Sequence, residues 1–149
     1  MSLIETIDQD IKKAMLAKQE AQLRSLRAVK AALLVAKTEK GASDVMTQDA
    51  EIKVLQRLVK QRKESAEIYQ AQNRPDLQQI EEEELGFIET YLPKQLDRAD
   101  VEHIIKGIIT SVGATSVKDM GKVMGAANKE LAGKADGRTI SEVVKQLLS

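Results

Sequence analysis

The chain contains no cysteine and no tryptophan, and only one phenylalanine and two tyrosines in 149 residues. Without cysteine there are no disulfides, no thiolate nucleophile and no cysteine-ligated metal. With so few aromatics the core must be built from Leu, Ile, Val, Ala and Met, which favours helices over sheets, and base stacking is a poor candidate for a recognition mode. The longest apolar run, Ala31 to Ala36, is six residues, far short of a membrane span. Glu5, Asp8 and Asp10 come early and no basic stretch precedes an apolar core, so no signal peptide is expected and a cytoplasmic location follows. The 23 basic and 23 acidic side chains balance, which argues against a globally basic nucleic-acid binder. Any electrostatic partner has to be met by a local patch.

What is present is helical periodicity. The length suits one domain with a real core or two small ones. Ile4, Ile7, Ile11 and Met15 recur at helical spacing, as do Leu23, Leu26, Val29 and Leu33; the register shifts near Lys18-Gln19-Glu20, predicting two helices or one kinked helix. Gly41 to Asp44 reads as a loop, and Thr47 as the N-cap of a helix running to about Gln72. Asn73 to Asp76 reads as a turn, with Pro75 barred from a helix interior, and a further helix spans about Asp76 to Tyr91 before Pro93. Residues 93–97 read as a linker between an N-terminal helical domain, 1–92, and a C-terminal three-helix domain, 98–149. In the latter, Val101, Ile104, Ile105, Ile108, Ile109 and Val112 make one helix face. Thr139 with Glu142 offers a capping box for a last helix that buries Ile140, Val143, Val144, Leu147 and Leu148. The predicted class is all-α: long antiparallel helices followed by a small three-helix bundle.

The segment Ser116 to Arg138 is the most informative. Ser116 and Asp119 resemble a capping box that starts a helix at Val117, and Gly133 is placed to end it in a left-handed conformation. At about 100° per residue, Val117, Met120, Val123, Met124, Ala127 and Leu131 share an apolar face, with Lys118, Lys122 and Lys129 almost opposite. Gly121 and Gly125 lie beside the lysines. Each interior glycine costs about 1 kcal/mol relative to alanine, so two on the outward side point to close approach of something to the backbone. Two occupants fit: a phosphate chain that also meets the lysines, or a neighbouring helix of the same protein beside an ordinary solvated lysine face.

Other charged clusters read as structural. Eight basic residues between Lys12 and Lys40 face only Glu20 and Glu39, and Lys53, Arg57, Lys60, Arg62 and Lys63 follow. These cations either bind an anion or dock on the acidic run Glu81 to Glu84, and the second is favoured for Arg27 and Lys30. The four consecutive glutamates point in four directions and cannot converge on one metal. His103 reads as a surface histidine outside any triad. Gly133-Lys-Ala-Asp-Gly137 lacks the length and the preceding strand of a phosphate loop.

Lys118-Asp-Met-Gly-Lys-Val-Met124 and Leu131-Ala-Gly-Lys-Ala-Asp-Gly137, with Tyr91-Leu-Pro-Lys94 and Leu23-Arg-Ser-Leu-Arg27, closely resemble the YqeY-like proteins and the tail domain of the GatB subunit of aspartyl/glutamyl-tRNA amidotransferase. The resemblance covers essentially the whole chain. It implies an all-helical protein in which a tail-like domain contacts tRNA. That contact carries onto Lys118, Gly121, Lys122 and Gly125, with Lys134 and Arg138 in the following turn and Lys129 continuing the lysine stripe. No catalytic residue, cofactor or metal is expected. The partners implied are tRNA and translation-related proteins, without membrane or DNA. A non-catalytic RNA-binding module is the leading expectation, a helical protein-protein adaptor the second, and a carbon-nitrogen ligase activity with glutamine as amide donor the third.

Overall fold

The computed structural model describes residues 2–39 and 46–149, and the predicted loop Gly41 to Asp44 lies outside them, as does Lys40. Among the described residues every regular element is helical. The chain divides into two compact units, Met1–Leu92 and Pro93–Ser149.

The first unit holds α1 (Leu3–Leu16), α2 (Glu20–Glu39), α3 (Gln48–Ala71) and α4 (Pro75–Glu89). Ser2 and Glu5 form a reciprocal capping box at the start of α1, satisfying donors that a helix end leaves open. The register shift near Lys18 is a true break: Lys18 adopts a left-handed φ of 55° between α1 and α2. Thr47 caps α3 as expected, its hydroxyl accepting from the Ala50 N–H at 3.1 Å. Asn73, also left-handed at φ 55°, reverses the chain, and Pro75 opens α4 at its first position, where its missing N–H is harmless. Ile7, Leu26, Leu33, Leu55 and Ile88 bury themselves at the centre. Met15, expected on the apolar face, is instead 54% exposed, because α1 ends within two residues and offers no further turn to cover it.

Among the described residues of this unit Glu84 is the one buried acid, at 8% exposure. Arg24 of α2 donates from Nε to its Oε1 at 3.1 Å, and Arg62 of α3 approaches Oε2 at 3.4 Å. Arg62 Nε makes no hydrogen bond to that oxygen, so it has an ion-pair neighbour without a hydrogen-bond acceptor. Arg24 also reaches Glu83 at 3.6 Å and Lys63 reaches Glu89 at 4.0 Å. The basic helices therefore do dock on the acidic one, but through Arg24, Arg62 and Lys63. Lys30 pairs instead with Asp8 of α1 at 2.6 Å, and Arg27 makes no ion pair with any described residue. Tyr91 donates to Asp10, and burial together with that bond raises its hydroxyl pKa well above the ordinary tyrosine value.

The second unit holds α5 (Arg98–Val112), a 3₁₀ turn (Val117–Asp119), α6 (Met120–Leu131) and α7 (Gly137–Leu148). Asp97 caps α5 by accepting from the Asp100 N–H at 2.8 Å, and Gly113 ends it at φ 69°. Val101, Ile105 and Ile108 of α5 meet Val123, Ala127 and Leu131 of α6 and Ile140, Val143 and Val144 of α7. The expected capping box of Thr139 and Glu142 is not used. Asp136 caps α7, accepting from the Arg138 N–H at 3.2 Å, so the helix begins three residues earlier and Glu142 is free to bind arginines. It takes Arg98 of α5 at 3.3 Å and Arg138 at 3.1 Å.

Candidate nucleic-acid interface

The lysine-bearing element is built differently from a simple capped helix. Ser116 Oγ accepts from the N–H of Lys118, two residues on, which winds Val117–Asp119 as a 3₁₀ turn before α6 proper starts at Met120. Asp119 reaches back to the Thr115 N–H at 2.9 Å instead of to Ser116. That backbone donor, aided by Ser116 and by the nearby Lys122 charge, holds the Asp119 carboxyl below its ordinary pKa. Val117 is lifted out of the apolar face by the tighter turn and stands 52% exposed. Met120 and Met124 are half-buried, while Val123, Ala127 and Leu131 are fully covered.

The opposite side of α6 is open. Lys118, Gly121, Lys122, Gly125 and Lys129 are all exposed. At about 100° per residue, Lys122, Gly125 and Lys129 of α6 fall within one narrow arc, with Gly121 on its flank and Lys118 preceding them on the 3₁₀ turn. Asn128 and Ala132, both exposed, lie on that same flank. A Cβ built on Gly121 or Gly125 would meet nothing within 4 Å, so among the described residues of the second unit no helix packs against the bare backbone there. Close approach of another helix of the second unit is thereby removed as the reason for these glycines. Among the described residues, none of Lys118, Lys122, Lys129 and Lys134 forms an ion pair.

The turn after α6 is fixed rather than slack. Gly133 takes φ 75°, the left-handed conformation expected of it. Its carbonyl accepts from Gln95 Nε2 at 2.7 Å, and the Lys134 carbonyl accepts from the Leu96 N–H at 2.9 Å. Lys134 is exposed at this turn. Arg138 is exposed too, but its Nε is held by Glu142, whose carboxyl the two arginines, Arg138 foremost, keep below the ordinary range. The sequence-predicted set thus sorts into free cations (Lys118, Lys122, Lys129, Lys134), open backbone (Gly121, Gly125) and one engaged cation (Arg138).

Sequence reasoning did not single out Gln95, Asn128 or the Asp136 cap. Asp136 could have been found from Asp-Gly-Arg immediately before an apolar repeat. Gln95 could not, because its partner lies 38 positions away. Elsewhere in the unit, exposed His103 borders a groove of about 450 Å³ between α5 and α6, with Gly107, Ser111 and Glu130. Among the described residues no three His, Asp or Glu side chains converge as metal ligands, and no helix is long and apolar enough to cross a membrane.

Comparison with known proteins agrees in extent with the motifs. The chain is 37% identical over 89 residues to "Altered inheritance of mitochondria protein 41, mitochondrial" of Meyerozyma guilliermondii, covering 60% of this chain and 46% of that protein. It is 30% identical over 130 residues to the protein of the same name in Clavispora lusitaniae, covering 87% of this chain and 74% of that one. The chain thus spans under half of the first relative and about three quarters of the second. The model of the Yqey-like protein family matches residues 4–148, both helical units together, and the chain belongs to that family.

Proposed function

We propose that this protein is a non-catalytic tRNA-binding accessory module whose α6 face meets the phosphate backbone. The observation that carries this reading is the exposed arc of Lys118, Lys122 and Lys129 beside Gly121 and Gly125, whose backbone is open to solvent. Lysine ammonium groups are compact point charges that suit phosphate oxygens without demanding a base. The glycines let a sugar-phosphate chain approach the helix more closely than any side chain would allow. Lys134 extends the charge beyond the end of α6, while Arg138 contributes only if it leaves Glu142.

Recognition of this kind reads shape and backbone, consistent with the absence of any aromatic residue from the second unit. Translation-related proteins are the natural setting for such a module, and a cytoplasmic location belongs to the same reading. The relatives carry a mitochondrial name; the binding chemistry is the same in either compartment. An amide-transfer activity is not part of the proposal.

The test is an anisotropy titration of bulk tRNA with the full chain at several salt concentrations, with Lys118→Glu/Lys122→Glu in parallel. Saturable binding that weakens with salt, and is lost in the double variant at unchanged helicity, is the expected result. Each lysine removed from a phosphate should lower the slope of log affinity against log salt by about 1. Equal affinity in the double variant would refute the site.

A further inference from the structure

A phosphate chain laid along α6 is attracted by the partial positive charge at the start of the helix and repelled by the carbonyl groups at its finish. At that finish, residues 93–97, which the sequence marks as a linker, are hydrogen-bonded to the turn that follows α6. Gln95 Nε2 donates to the Gly133 carbonyl at 2.7 Å and to the Pro93 carbonyl at 2.8 Å. The Leu96 N–H donates to the Lys134 carbonyl at 2.9 Å, and the Leu96 side chain packs against the core of the second unit. The Lys134 N–H in turn donates to the Leu131 carbonyl at 3.0 Å. Both peptide groups of Lys134 are therefore fixed, and with them the direction in which its side chain leaves the turn.

The same segment carries Lys94, the residue on which the Tyr91-Leu-Pro-Lys94 motif ends. Lys94 and Lys134 are both exposed, and neither pairs with an acid among the described residues. The acids that follow them most closely in sequence, Asp97 and Asp136, are engaged at the starts of α5 and α7, where they accept from the Asp100 and Arg138 N–H groups. Two unpaired cations thus belong to the end of α6 at which the helix itself disfavours an anion. A segment that served only as a connection would be anchored by Leu96 in the core and Asp97 on α5, with no need of the lysine or of the Gln95 amide.

Resting on the α6 reading above, we propose that residues 93–96 are part of the same phosphate-contacting surface: Lys94 is a further backbone contact at the C-terminal end of α6, and Gln95 is the positioning residue that holds Lys94 and Lys134 there. Glutamine suits this role because its amide has two N–H donors and covers two carbonyl oxygens at once. The acceptors that would repel a passing phosphate are then occupied, and the two lysines are kept on one fixed piece of backbone.

The test is an anisotropy titration of bulk tRNA with the full chain at several salt concentrations, read as the slope of log affinity against log salt. Lys94→Ala should lower that slope by about 1, as expected for one lost phosphate contact. Gln95→Met keeps the length of the side chain, removes its donors and changes no charge. It should nonetheless lower the slope by at least about 1, and lower it no further in a Lys94→Ala/Lys134→Ala background, a pattern that lost packing alone does not produce. Without tRNA, the Leu96 amide should exchange with solvent faster in Gln95→Met while the amides of Val123, Ala127 and Val143 keep their protection. Unchanged slopes in Lys94→Ala and Gln95→Met, with binding still lost in Lys118→Glu/Lys122→Glu, would overturn the proposal and leave the α6 reading standing. A slope lowered by Lys94→Ala but not by Gln95→Met would overturn the positioning role of Gln95. Absence of tRNA binding by the unaltered chain at low salt would overturn both readings together.

Discussion

The basic residues around Glu84 in the first unit and those of the α6 face in the second are used in opposite ways. In the first, Arg24 and Arg62 converge on the buried Glu84, and Lys30 and Lys63 take acids on neighbouring helices, so these cations hold the bundle together. In the second, the lysines of the 3₁₀ turn and α6 take no acid and stand beside open glycine backbone. A cation that has met its acid inside the fold contributes to packing specificity, whereas one left in solvent contributes almost nothing to stability and is available to a ligand. Arg138 belongs to neither group, being exposed yet paired with Glu142. The same residue type thus acquires a structural or an interfacial role from its surroundings.

That contrast can be broken from the core outward. Leu131 is fully buried among α5, α6 and α7, so Leu131→Ala should destabilise the second unit by about 3 kcal/mol. All three aromatic residues, Tyr69, Phe87 and Tyr91, lie in the first unit. Tyrosine fluorescence therefore reports the first unit alone, and its denaturant midpoint should not move in Leu131→Ala while the far-UV signal acquires an earlier step.

Glu84→Ala should do the reverse. Removing the shared acid leaves Arg62 nearly buried without a counter-charge, at a cost of about 2–3 kcal/mol, less than for a fully buried pair because Arg24 is half exposed. The tyrosine transition should shift and tRNA affinity stay the same. A loss of tRNA binding in Glu84→Ala with an intact second unit would break the division of labour drawn here.

Gly125→Ala separates stability from binding. Nothing occupies the space a methyl group would fill, so the substitution should stabilise α6 by about 0.5–1 kcal/mol. The proposed close approach of a phosphate chain predicts that tRNA affinity falls all the same. A more stable variant with undiminished affinity would show that the glycine backbone is not a contact.

The smallest effect is on acid stability. Asp119 has a folded pKa below its unfolded value, chiefly because the Thr115 N–H donates to the carboxylate. Its contribution is complete above the unfolded aspartate pKa and is lost as pH falls through the lower, folded one. Asp119→Asn should therefore lower the second unit's stability slightly near neutrality and flatten the acid limb of its profile, measured by far-UV circular dichroism. Glu142, depressed by Arg138 and Arg98, adds to the same limb, and Glu142→Gln should flatten it further.

The helices and most of their ends were legible because they depend on local signals: the Thr47 cap, Pro75 at a first helical position, and the left-handed glycine at 133. Where two local signals competed, the sequence could not decide between them. Asp136 and Thr139 both qualify as caps of α7, and the fixed turn at Gly133 and Lys134 accompanies the earlier start. Ser116 and Asp119 have the spacing of a capping box, yet Ser116 bonds one residue short and Asp119 one residue beyond, giving a 3₁₀ turn.

Tertiary pairing was the least legible part. Arg27 and Arg24 are three residues apart in the same basic helix, and only the placement of α4 decides that Arg24 meets Glu84. The exposure of Lys118, Lys122 and Lys129 was readable from helical angles alone. That no described residue of the second unit fills the space beside Gly121 and Gly125 required the structure, since a packed neighbour would have left the same glycines in the sequence.

The most direct test of the α6 face is amide chemical-shift mapping of the full, isotope-labelled chain during titration with tRNA at low salt. The account predicts the largest changes at Lys118, Gly121, Lys122, Gly125 and Lys129, fading as salt is added, with Ala31, Val35 and Arg57 unmoved. Changes concentrated on α2 and α3, with the α6 amides undisturbed, would contradict it.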